Sequence, residues 1–161
     1  MSNVLIVDNE EKFCKVVHAA LQLENITSSY CLSGQDALEI VKQSPVDIVV
    51  SDLKMDNMDG IQLLEELKDH HDQIEVIIMT AFASQKTAIE ALKKGANDYL
   101  IKPFEMDELV LRIKRIAEQQ RILEENKKLR ESKERPIFFQ TLVGKSQLLG
   151  TASQRLCDAR R

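Results

Sequence analysis

The sequence predicts a doubly wound α/β fold, a parallel sheet with helices on both faces, and three observations carry that prediction. Five short apolar, β-branched-rich runs alternate with five longer segments of helical period. The runs are apolar nearly throughout instead of at every second residue, the pattern of strands buried on both faces by crossover helices. At 161 residues the chain is too short for a closed eight-fold barrel.

Each element follows in order. Strands are expected at residues 4–7, 26–30, 46–50, 76–79 and 99–101, with helices near 10–24, 34–43, 60–68, 84–94 and 105–120. Pro45 precedes the third strand, Ser84 stands as the N-cap of the fourth helix, and Gly34 and Gly95 are expected in loops. The last helical pattern does not stop at residue 120, because EMDELVLRIKRIAEQQRILEENKKLRESKER reaches Pro136 without an internal glycine or proline. Its apolar residues are Leu109, Ile113, Ile116, Ile122 and Leu129, with Asn126 between the last two. Spacings of three and four suit a dimerising coiled-coil seam, although the phase slips between Ile116 and Ile122; a solvated terminal helix is the alternative. The expected organisation is a main domain over 1–120, a helical linker over 121–135 and a tail over 136–161.

Composition narrows the function. Residues 1–120 carry a net charge of −9 and residues 121–161 one of +5, so the main domain is a poor candidate for binding nucleic acid. Cys14, Cys31 and Cys157 are odd in number and have no CxxC spacing, which predicts reduced thiols in a cytoplasmic protein. The N-terminus lacks the pattern of a signal peptide, and no segment approaches the roughly 20 apolar residues of a membrane span.

Open α/β sheets bind ligands outside the carboxyl ends of their strands. Here those ends carry Asp8-Asn9-Glu10, Asp52, Thr80 and Lys102-Pro103. Singly, each has an ordinary structural explanation: a helix cap, a turn hydroxyl, a solvated lysine. Together they match phosphoryl transfer to a carboxylate. Asp52 can accept the group as an aspartyl phosphate, a hard cation such as Mg²⁺ finds oxygen ligands, and lysine and hydroxyl can bind the transferred oxygens.

LIVDNE, DIVVSDLKMDNMDG, IIMTAFAS and GANDYLIKPF, in this order and at these separations, resemble the receiver domain of bacterial two-component response regulators. The resemblance covers residues 1 to about 120. It implies a flavodoxin-like five-stranded sheet of order 2-1-3-4-5 and a sensor histidine kinase as partner. Asp52 becomes the phosphoacceptor. Asp8, Asn9, Asp52 and the backbone carbonyl of Lys54 become Mg²⁺ ligands, Thr80 and Lys102 the phosphoryl contacts, and Tyr99 the aromatic that moves with Thr80. Lys54 and Phe82 fall where the family sets phosphate lifetime, and the Lys102–Pro103 bond is expected to be cis. Signalling and homodimerisation are expected on the face of the fourth helix, fifth strand and fifth helix, with Ala88, Ala91, Leu92, Tyr99 and Val110 or Leu111 as candidates.

Two departures stand out. Asn9 replaces the family's second aspartate, removing one charge from the metal site, and Asp56 replaces a usual proline and reads as a solvated turn residue. A degenerate, phosphorylation-independent interaction module is the alternative that Asn9 raises. In the tail, GKS at 144–146 fails the phosphate-loop spacing because Phe139 occupies the position of the required glycine. FQTLVGKSQLL instead resembles the opening of the AAA+ domain in NtrC-like, sigma-54-dependent activators, so the chain is expected to stop early in that domain, without ATPase activity.

Overall fold

The computed structural model describes residues 2–82 and 84–143, with side chains described through residue 130. The GKS motif, Cys157 and all of residues 144–161 lie outside it. The chain divides into two compact units, one ending at Ala117 and the other beginning at Glu118.

The first unit alternates strand and helix: β1 (Asn3–Val7), α1 (Glu11–Leu23), β2 (Thr27–Cys31), α2 (Gly34–Gln43), β3 (Ile48–Asp52), α3 (Gly60–His70), β4 (Glu75–Thr80), α4 (Gln85–Lys93) and β5 (Asp98–Ile101). α5 (Met106–Val143) begins in this unit. All strand pairs are parallel, in the order β2-β1-β3-β4-β5. Alternate residues sort the core into two layers, as the two-residue period of a strand requires. Val4, Ile6, Ile48, Val50, Ile77 and Met79 pack with Cys14, Val17 and Leu21 of α1 and Leu109, Ile113 and Ile116 of α5. Leu5, Val7, Val49, Val76 and Ile78 pack with helices α2, α3 and α4.

Several expectations change. Leu109, Ile113 and Ile116, read as part of a dimer seam, are 0%, 1% and 0% exposed and belong to the core. The reason is geometric: the same three-and-four spacing that builds a coiled coil also lays one face of a helix on its own sheet. Gly34 opens α2 instead of lying in a loop; a Cβ there would stand 2.8 Å from Sδ of Met58 in the β3–α3 loop, so that side chain would have to shift. Gly95 does lie in a loop, at φ +108°. β2 is an edge strand of sequence TSSYC with Thr27 and Ser29 exposed, not an apolar run. α5 continues through Pro136 to Val143; thirty preceding residues without a helix breaker favour propagation over the cost of one lost N–H.

In the second unit, residues 121–130 of α5 are exposed, and Arg121 pairs with Glu118 and Glu125 at helical spacing. Among the described residues, no helix is long and apolar enough to cross a membrane.

Candidate functional site

The register of the sheet assembles the site. Val7 pairs with Ser51 and Asp52 with Met79, so Asp8, one residue past β1, comes level with Asp52 at the end of β3. Thr80 pairs with Ile101, which brings Lys102 to the same edge, and the Lys102 N–H donates to the Thr80 carbonyl at 2.7 Å. The peptide bond from Lys102 to Pro103 is cis, as expected.

Lys102 ties the two acids together. Its Nζ donates to Asp8 Oδ2 at 2.7 Å and stands 3.6 Å from Asp52 Oδ1. Asp8 is 1% exposed, and its other oxygen accepts from the Glu10 N–H at 2.9 Å. A buried carboxylate needs such partners, because leaving one unpaired costs several kcal/mol. Asp52 is half-buried, and burial pushes its carboxyl up from the ordinary value of 3.8. The charge of Asp8 adds to the rise, while Lys102 and the Leu53 N–H oppose it. Two acids therefore share one cation in a partly desolvated pocket, and a further positive charge or a bound phosphoryl group would find the site already polarised.

The remaining expected residues surround this centre. Thr80 is 1% exposed, and its hydroxyl accepts from the Phe82 N–H at 3.0 Å, a local turn that holds the β4–α4 loop. Tyr99 is half-buried, and its hydroxyl lies 3.1 Å from Thr87 Oγ1 in the first turn of α4. Asn9 and Lys54 are exposed. The Lys54 ammonium sits 4.2 Å from the Phe82 ring centroid, so the two expected lifetime positions touch as a cation–π pair. On the expected signalling face, Ala91 (0%) and Val110 (7%) are core, whereas Leu92 (49%) and Leu111 (68%) are exposed.

Sequence reasoning missed four contributors. Phe13 of α1 lies with its ring centroid 4.1 Å from Lys102 Nζ, and Thr87 meets Tyr99; both are tertiary contacts without a local signal. Asp59 caps α3, accepting from the Gln62 N–H while Gln62 accepts from the Asp59 N–H, and the D-x-x-Q spacing could have revealed that capping box. Gly60 passes so close to β3 that a Cβ there would lie 2.5 Å from the Asp52 carbonyl oxygen.

Comparison with known proteins places this arrangement. The family model of the response regulator receiver domain matches residues 4–114. The chain belongs to that family. It is 36% identical over 132 residues to the regulatory protein AtoC of Escherichia coli K12, covering 82% of this chain and 29% of that protein. It is 43% identical over 107 residues to the transcriptional regulatory protein ZraR of Salmonella typhimurium, covering 66% and 24%. The chain thus spans less than a third of the length of these curated relatives. Among solved structures it resembles the receiver domain of Francisella response regulator 1452, at TM-score 0.71 and 32% identity over 74% of this chain and 98% of that one. The beryllofluoride-activated NtrC4 receiver domain dimer matches at TM-score 0.71 and 31% identity, covering 74% and 99%. The receiver is part of a two-component response regulator, and the observed sheet order is that of the flavodoxin-like receiver fold.

The receiver's donor set suits Mg²⁺ in kind. Asp8 and Asp52 supply two carboxylates, and Asn9, next to Asp8 in the chain, and the Lys54 carbonyl, two residues past Asp52, offer neutral oxygens, all hard donors. Among the described residues no group of three or more acids, histidines or cysteines is gathered for a metal.

Proposed function

We propose that Asp52 accepts a phosphoryl group from the phosphohistidine of a sensor histidine kinase. The observation that carries this reading is the single ammonium of Lys102 shared between a buried acid, Asp8, and a more accessible one, Asp52. In the transfer, an Asp52 carboxylate oxygen forms the new O–P bond as the P–N bond to the donor imidazole breaks. The bonding pair stays on that nitrogen. Lys102 then holds phosphoryl oxygen in place of part of its contact to Asp8, and the Thr80 hydroxyl turns from the Phe82 N–H toward the phosphoryl group. Tyr99 follows, leaving Thr87 and altering the α4–β5–α5 face.

Mg²⁺, held by Asp8, Asn9, Asp52 and the Lys54 carbonyl, would neutralise phosphoryl charge. Its affinity is weak for a receiver because Asn9 brings no charge. The Lys54–Phe82 cation–π pair slows hydrolysis of the phosphoaspartate by restricting water. The protein works in the cytoplasm and pairs as a homodimer through the α4–β5–α5 face and the linker helix, with Leu92, Leu111, Ile122 and Leu129 exposed for that purpose. The output it controls is sigma-54-dependent transcription, as the resemblance of residues 139–149 to NtrC-like activators suggests; this receiver contributes no DNA contact.

Incubation with a cognate kinase, or with acetyl phosphate, tests the central claim. Label is expected on the wild-type chain and not on Asp52→Asn. Asn9 favours a second reading, a phosphorylation-independent interaction module, and that reading wins if wild type takes no label while still binding its partners.

A further inference from the structure

We propose, on the basis of the phosphoacceptor reading above, that Phe13 is a positioning residue for Lys102, its ring face seating the ammonium for phosphoryl transfer to Asp52. Close to the lysine ammonium lie Asp8 Oδ2 at 2.7 Å, Asp52 Oδ1 at 3.6 Å and the Phe13 ring centroid at 4.1 Å. The shortest contact is to the acid that does not react. Left to Coulomb attraction alone, the ammonium would stay on Asp8, the more buried of the two carboxylates. The aromatic face attracts the cation without binding any one of its protons in a fixed direction, so the ammonium can turn toward an incoming phosphoryl oxygen while remaining in place.

The ring is itself braced. It meets the Phe104 ring edge-on, with centroids 6.2 Å apart and planes at 85°, a favourable aromatic geometry. Phe104 follows Pro103 directly, so α1 and the segment leaving β5 fix the ring and the lysine together. Phe13, Ala81, Pro103 and Phe104 also line, with Lys102, one open cleft of largely apolar surface, so the ammonium lies against apolar groups on that side. In a site with Asn9 where an acid is usual, the ring supplies negative potential without adding a carboxylate that would repel the phosphoryl group.

The test uses the full 161-residue chain with acetyl phosphate as donor. Here the Asp52 oxygen displaces acetate from phosphorus, and the acetate leaves with the electron pair of the broken P–O bond. Phe13→Leu keeps an apolar side chain and removes the ring face; Phe13→Met is the alternative if Leu lowers the melting temperature. The initial rate of Asp52 phosphorylation is expected to fall roughly three- to tenfold, and Phe13→Tyr to restore it within about twofold. On a Lys102→Ala background Phe13→Leu is expected to change nothing further. The ε-methylene protons of Lys102, read by NMR without any phosphodonor, are expected upfield in wild type and Phe13→Tyr and at ordinary positions in Phe13→Leu. A wild-type rate in Phe13→Leu, or an equal loss on the Lys102→Ala background, overturns the proposal. Absence of phosphate on wild-type Asp52 overturns it together with the phosphoacceptor reading. The ε-proton shifts distinguish that failure from a missing contact between ring and lysine.

Discussion

At the residue scale, the site is a balance of charges that single substitutions should shift in opposite directions. Burial first, and Asp8 second, favour the neutral form of Asp52, so its folded value lies above 3.8. The folded state then holds more protons than the unfolded state between those two values, and stability falls as pH rises through that window. Asparagine escapes this loss. In metal-free buffer Asp52→Asn should melt higher than wild type at pH 7 and together with it at about pH 3, below the titration of an ordinary aspartate. An equal melting temperature at both pH values would mean that Lys102 fully compensates the carboxylate. Asn9→Asp adds the absent metal ligand charge, and Mg²⁺ should bind at least about fivefold tighter, the effect of roughly 1 kcal/mol from one more charge at contact distance. Isothermal titration of both proteins decides this, and equal affinities would remove Asn9 as the cause of weak binding. Asn9 was readable because one amide at a strand end stands out against its neighbours. Phe13 was not, since its partner lies 89 residues away and nothing in EKFCKVV distinguishes a ring facing a lysine from one facing the core.

At the scale of elements, the strand ends were legible because a run of apolar residues ending in an ionisable one carries its own signal. Strand position was less so: β3 runs Ile48–Asp52 where the apolar run spans 46–50, which makes the proposed phosphoacceptor Asp52, expected at the strand's end, a paired residue of the strand itself. That difference matters mechanically, because a carboxylate on a paired strand residue is held more rigidly than one on a loop. The β3–α3 connection adds a second restraint. Asp59 and Gln62 cap α3, the Gly60 N–H donates to the Leu53 carbonyl at 2.8 Å, and the helix start therefore presses against the backbone of Asp52. Gly60→Ala would place a methyl 2.5 Å from the Asp52 carbonyl oxygen, where backbone cannot yield cheaply. We expect a loss of about 1–3 kcal/mol, read by urea denaturation, together with slower phosphorylation of Asp52. Wild-type stability would show that α3 can step away from β3 without cost. The glycine was visible in the sequence, but the carbonyl it must clear was not, since close approach is a property of two elements.

At the scale of the whole molecule, the question is which residues remain for a second copy once the receiver has taken its own. Leu109, Ile113 and Ile116 are used by the core, so any dimer must be built from what stays exposed. In the linker those residues are Ile122 at 45%, Leu123 at 69% and Leu129 at 59%. Ile122 and Leu129 are seven apart, one heptad, and the phase slip after Ile116 follows naturally if the first stripe serves the sheet and a separate stripe serves a partner. With Ile122 and Leu129 at d, Asn126 falls at a, where a buried polar residue favours a two-stranded parallel pair in a single register. Glu125 and Arg130 then occupy g and the following e, able to attract one another between chains. Ile122→Asp with Leu129→Asp should therefore leave the far-ultraviolet signal and melting of the receiver close to wild type while weakening self-association by at least about a hundredfold, since two buried acids at a seam cost several kcal/mol. Sedimentation equilibrium measures it directly. If the double variant associates as strongly as wild type, the linker stripe is solvated surface, and the exposed Leu92 and Leu111 become the place where two copies meet.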